Sequence, residues 1–248
     1  MEAIKRISDL RKAVFKIRIS GCISEKTLEK LNKDLQRKRW RSPVALAIVV
    51  NSPGGSAAQS SLIRQRLLAF SKHHHIPVYA FAEDLAASGG YYVMSAANEL
   101  YATPASLIGS IGARFSLFGI KGLAAKYGIE RRSWATSPLD LQERVDPLKE
   151  LKPDTQKWLA GLVQETGEEF KNVIEESRKG KIKVENAKKD EVLYNGDIFT
   201  ADESVKHGLI DKFGVCDEVM KEIFPKYEIL DLSKVSKIQR IYQSIGAE

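Results

Sequence analysis

Residues 44–50, Val-Ala-Leu-Ala-Ile-Val-Val, are apolar without a break. A strand with no polar face has to be covered on both sides, as in a parallel sheet flanked by helices. A second apolar run comes at 78–82, and the stretch between them, 57–72, reads as a helix. Strand, helix, strand in that order is the repeating unit of an α/β protein with parallel pairing. A half-solvated antiparallel sheet or a helical bundle does not fit this part of the chain.

The segment after each apolar run carries the chemistry. The first run ends in Asn51-Ser52-Pro53-Gly54-Gly55-Ser56, the second in Leu85-Ala86-Ala87-Ser88-Gly89-Gly90-Tyr91-Tyr92, and each opens a helix. Ser88 is thus a small hydroxyl at a strand-to-helix turn, and the glycines have N–H groups that no side chain shields. A serine facing free backbone donors is the minimum apparatus for acyl transfer. Taken one at a time, both segments also read as turns that need glycine for positive φ.

These two motifs, with Ala102-Thr103-Pro104, Ile108-Gly109-Ser110-Ile111-Gly112, Tyr194-Asn195-Gly196 and His207-Gly208-Leu209-Ile210-Asp211, resemble the signal peptide peptidase A (protease IV) family of serine peptidases. The resemblance runs from residue 13 to residue 224. It implies a crotonase-like, Clp-protease-like α/β spiral of ββα units, here with a C-terminal helical extension. It also implies peptide hydrolysis by a serine nucleophile and a lysine base, with no metal or organic cofactor. By position Ser88 matches the family nucleophile, and Gly54, Gly55 and Gly89 match the region of its oxyanion hole. Members assemble into bowl- or ring-shaped oligomers, so a homo- or hetero-oligomer is expected. Bacterial and plastid members usually carry a membrane anchor ahead of this region.

Composition suits a globular protein of one large domain, expected over residues 1–226 with a strand/helix tail over 227–248. The chain has 248 residues, 43% of them hydrophobic, enough for a sizeable core. No apolar run approaches the length of a membrane span, so membrane contact is expected to be peripheral or through partners. Lys5, Arg6, Arg11, Lys12 and Lys16 interrupt the start, which leaves no signal-peptide h-region. That basic start suits an organellar address such as the mitochondrion, although Glu2 and Asp9 count against a clean transit peptide. Two cysteines, Cys22 and Cys216, make no disulfide framework and point to a reducing compartment. The net charge of +7 is modest. The cluster Arg37-Lys38-Arg39-Trp40-Arg41 reads as a solvated helix end rather than a nucleic-acid patch. Three consecutive histidines, His73 to His75, cannot all face one metal ion and read as a surface connection.

The remaining elements are read from periodicity. Residues 13–20 read as the first strand, and Ser24 caps a helix to about residue 38. The helix at 57–72 is expected to turn Leu62, Leu67 and Leu68 inward. A short helix at 90–97, strands at 100–102 and 107–111, a helix at 120–127 and a long helix at 153–179 come next. The last carries Trp158, Leu162 and Phe170 along one side. Residues 129–148 are expected to border the site, and a final β/α portion spans 192–224. In the tail, Ile238, Ile241, Tyr242 and Ile245 keep helical spacing, either as docked core or as a partner-binding helix.

One part of the catalytic apparatus is missing. In single-domain relatives the lysine lies in the segment that here reads residues 130–144, which contains no lysine. Its arginines cannot substitute, because guanidinium stays protonated in proteins. The wording Ala135-Thr136-Ser137-Pro138-Leu139 looks like the serine-bearing half of two-repeat members, in which the other half supplies the lysine. Three readings stay open: a peptidase whose base comes from elsewhere, such as a lysine-bearing homologue; a degenerate member serving as a structural or partner subunit; and a crotonase-like scaffold for an acyl-thioester.

Overall fold

The computed structural model describes residues 12–36, 41–134, 136–137 and 141–234. The chain divides into two compact units, residues 1–111 together with 171–248, and residues 112–170.

The first unit is α/β. Its elements begin β1 (Lys12–Ser20), α1 (Glu25–Gln36), β2 (Ser42–Ser52), α2 (Ala57–His74), β3 (Val78–Ala87), α3 (Gly89–Met94), β4 (Glu99–Ala102) and β5 (Leu107–Gly109). The sheet runs β6-β5-β3-β2-β1-β8, with β6 at Ile198–Thr200 and β8 at Glu228–Asp231. β4 lies beside β3, and β7 (Lys212–Phe213) lies beside β4. Every pairing is parallel except β5 with β6.

The apolar run in β2 is buried throughout, residues 45–50. Alternation along the strand divides it between two layers. Ala45, Ala47 and Val49 join Val14, Phe81, Tyr101, Cys216 and Met220 in one cluster, where the Phe81 and Tyr101 rings stack at 5.0 Å. On the opposite face of β1, Phe15 meets Phe70 of α2, 6.5 Å between ring centres. Fully burying a side chain such as Leu46 or Ile48 contributes about 1.5–3 kcal/mol.

α2 departs from expectation. Its buried residues are Ser60, Ile63, Leu67 and Phe70, while Leu62 and Leu68 are 45% and 38% exposed. The buried set repeats at three and four residues, and Leu62 and Leu68 fall off that stripe. Ser60 is inward because α3 comes too close for anything larger. The helix is capped by Ser56, whose hydroxyl accepts from the Gln59 N–H, and ends at His75 in the left-handed region.

β8 pairs with β1, Ala13 opposite Glu228 through Lys16 opposite Asp231, so the start of the tail belongs to the main sheet. The Ile238, Ile241, Tyr242 and Ile245 stripe lies outside the described residues, as do Arg37 to Trp40. Arg41 forms an ion pair with Glu228 at 2.9 Å. The final β/α portion contains α8 (Ala201–His207), entered through a full capping box from Thr200 and Glu203, and α9 (Cys216–Ile223).

The second unit holds α4 (Lys121–Lys126), α5 (Leu141–Arg144) and the first turns of α6 (Pro153–Ser177), which continues into the first unit. Within it the Arg144 guanidinium lies over the Trp158 ring at 4.7 Å. A short helix α7 (Lys189–Val192) in the first unit precedes β6.

Candidate functional site

The site grows out of the C-terminal ends of β2 and β3. β3 ends at Ala87, and Ser88 turns the chain into α3 with φ 50 and ψ −123. A non-glycine residue in such a conformation stores about 1–3 kcal/mol, held by its surroundings. Two backbone bonds hold this one. The Ser88 N–H donates to the Gly109 carbonyl at 2.8 Å, and its carbonyl accepts from the Tyr92 N–H at 2.9 Å. The side chain makes no capping hydrogen bond and the residue is half-buried, so the hydroxyl is spent on nothing local.

α3 behind it is buried at every residue. The Tyr91 hydroxyl donates to the Leu209 carbonyl at 2.6 Å. Burial pushes the phenol well above its ordinary value, the nearby Arg178 only partly opposing this, so it stays a donor.

The Gly54–Gly55 turn lies directly against Ser88. A Cβ on Gly54, whose φ is 99, would fall 2.8 Å from both the Ser88 Cβ and the Gly89 nitrogen. A Cβ on Gly89 would fall 2.3 Å from Ser60 Oγ and 3.4 Å from the Gly55 nitrogen. These close approaches, more than turn geometry, are why glycine stands at 54 and 89. The Gly54 N–H is already committed, donating to Ser52 Oγ at 3.1 Å. The N–H groups of Gly55 and Gly89 donate to no acceptor among the described residues. Of the three expected oxyanion-hole glycines, two keep a free donor and Gly54 supplies room.

Sequence reasoning passed over Ser110. It comes directly after Gly109, which pairs with Ala87, and has φ 50. Its N–H donates to the Asp197 carbonyl at 2.6 Å. It therefore flanks Ser88 across the sheet. The signal was present in Ile108-Gly109-Ser110-Ile111-Gly112, but that wording says nothing about which strand lies alongside.

No lysine of the second unit has the dry, uncharged setting that a neutral amine requires among those flanking residues 130–144. Lys121 pairs with Glu150 at 2.9 Å and Lys149 with Glu143, all four solvent-accessible. No group of His, Cys, Asp and Glu among the described residues could hold a metal ion. The His74 ring packs against Phe70, and burial lowers its affinity for a proton. Nor is any helix among them long and apolar enough to cross a membrane.

A profile of "Peptidase family S49" matches residues 71–228, a span that includes Ser88 and Gly89. The chain belongs to peptidase family S49. A Brucella melitensis protein named Na(+)/H(+) antiporter NhaA is 35% identical over 170 residues, 68% of this chain and 22% of that protein. The Arabidopsis thaliana protein named "Serine protease SPPA, chloroplastic" is 30% identical over 201 residues, 79% of this chain and 27% of that one. The S49 chain thus spans about a quarter of the length of these relatives. A solved structure of a mutant membrane-bound stomatin-specific protease with a substrate peptide superposes with a TM-score of 0.55, covering 95% of this chain and 98% of that one at 17% identity. That likeness concerns the fold: α/β, mostly parallel, of the Clp-protease-like kind shared by S49 members.

Proposed function

We propose that the chain is a serine peptidase subunit of the signal peptide peptidase A type, with Ser88 as its nucleophile. The observation that carries this is the strained turn at Ser88, whose side chain makes no capping bond and which packs against glycines, two of whose N–H groups, of Gly55 and Gly89, have no acceptor among the described residues. Ser88 Oγ attacks the carbonyl of an extended peptide and gives up its proton to a base. The oxyanion is received by the two N–H groups, the amine leaves with a proton, and water hydrolyses the ester. Removing one such donor typically costs about 10²–10³ in rate. S49 membership favours a peptide over an acyl-thioester as the substrate.

The base, on this reading, is a lysine of another polypeptide, a homologue assembled with this chain in a hetero-oligomer. A serine needs a partner to take its proton, and residues 130–144 contain no lysine to do so. The same observation favours a second reading, a degenerate subunit that contributes its fold and not its chemistry. A fluorophosphonate probe separates the two. Labelling that Ser88→Ala abolishes establishes the nucleophile, while no labelling in the chain alone or with its companions leaves only the structural subunit.

A further inference from the structure

We propose that Ser52 is a positioning residue that sets the Gly55 donor, an inference that rests on Ser88 being the nucleophile. Ser52 closes β2 and is 0% exposed. Its hydroxyl is used twice. It donates to the Gly21 carbonyl at 2.7 Å and accepts the Gly54 N–H at 3.1 Å. One oxygen therefore joins the loop that leaves β1 to the glycine turn that leaves β2.

The two loops are laced together on either side of that oxygen. The Gly21 N–H donates to the Asn51 carbonyl at 2.9 Å, the Ile23 N–H to the Gly54 carbonyl at 2.8 Å, and the Ser56 N–H to the Ile23 carbonyl at 3.0 Å. A Cβ on Gly55 would fall 2.3 Å from the Ile23 carbonyl oxygen, and one on Gly90 would fall 2.8 Å from the Ser52 carbonyl oxygen and 3.2 Å from the Ser52 Cβ. Ser52 is thus in contact with both loops and with the helix that Ser88 begins.

Two adjacent glycines make the softest stretch of backbone a loop can have. An oxyanion donor works only when it is aimed before the reaction starts. The Gly54–Gly55 turn has no side chains of its own to stiffen it, so its aim depends on hydrogen bonds from outside. Of these, the Ile23 N–H holds the carbonyl of the peptide that carries the Gly55 N–H, and the Ser52 hydroxyl, the one side chain among them, holds the N–H of the peptide before it, so that Gly54 is gripped at both ends. Removing the hydroxyl strands a buried N–H and a carbonyl, which the turn can satisfy only by moving or by admitting water.

The test compares wild type with Ser52→Ala, using the purified chain with any subunit that accompanies it. Four quantities are read: the rate of fluorophosphonate labelling, kcat and KM on a short p-nitrophenyl ester, and amide hydrogen exchange at Gly54. The expected result is labelling and kcat lower by about 10- to 100-fold, the range from a displaced donor to a lost one. KM should stay within about twofold, as expected when only transition-state contacts are lost, and Gly54 exchange should be faster. Should Ser52→Ala fail to fold, Ser52→Cys keeps the volume with a weaker donor, and an intermediate loss of kcat is expected. A folded variant that labels and turns over like wild type overturns the proposal and leaves Ser88 standing. If wild type itself neither labels nor turns over, the Ser88 reading falls and this inference with it.

Discussion

Tyr91 and Leu209 are joined by a 2.6 Å hydrogen bond from phenol to carbonyl, beneath the helix that starts at Ser88. The bond ties that helix to the turn after α8, over a hundred positions along the chain. Tyr91→Phe keeps the ring and orphans a buried carbonyl, which costs about 1–3 kcal/mol. Thermal unfolding should fall by about 2–4 °C for each kcal/mol lost. An unchanged melting temperature would mean that the bond contributes nothing.

Arg178 is 1% exposed. It gives Nε and Nη2 to the Gly208 carbonyl and Nη1 to Asp211 at 2.8 Å. Asp211 also accepts the Leu100 N–H at 2.8 Å and pairs with Lys181 at 3.0 Å. Burial works against the charged carboxylate, but Arg178, Leu100 and Lys181 outweigh it and hold Asp211 below its ordinary value of 3.8. A depressed carboxylate stabilises the fold at any pH above its unfolded value and loses that contribution as pH falls through the folded one. Asp211→Asn, which strands a buried guanidinium, should cost about 3–5 kcal/mol near neutrality. Urea unfolding at pH 7 and below pH 4 checks the sign: the gap between variant and wild type should narrow in acid.

Gly54→Ala should abolish labelling of Ser88, because the new methyl falls on the Ser88 Cβ and the Gly89 nitrogen. Strain at positive φ would contribute as well. Gly180→Ala separates the two effects, since its φ is 75 and nothing lies within 4 Å of the added atom. It should lose about 1 kcal/mol and label like wild type. Equal labelling in both variants would remove Gly54 from the site.

The two cysteines should react differently. Cys22 is exposed and Cys216 is buried. Burial pushes the Cys216 thiol up to about 12, with Lys16 only partly opposing it. A thiol reacts as its thiolate, so one equivalent should titrate with Ellman's reagent in the native protein and a second only in denaturant. Two equivalents under native conditions would contradict the packing of α9.

The two strand-to-helix turns were legible because their signals are local: an apolar run, a small residue, then glycines. The parallel order of β1, β2 and β3 was legible for the same reason. The features that escaped depend on partners distant in the chain. The Gly54 donor is taken by Ser52, and nothing in the wording Asn-Ser-Pro-Gly-Gly reveals where that hydroxyl turns. Ser110 becomes a neighbour of Ser88 only through the pairing of Ala87 with Gly109. In α2 the leucines are spread around the helix, and the inward face is decided by how closely α3 approaches, a distance that no periodicity encodes.

The pairing of β1 with β8 has a consequence during synthesis. The partners lie roughly 200 residues apart, and contacts of such separation form late. One flank of β1 therefore waits, its amides unmatched, until the ribosome has delivered the chain past Glu228–Asp231. An open flank of this kind recruits stray strands. Nascent chains stalled before Glu228 should be the species most prone to aggregate, and the ones most in need of a chaperone.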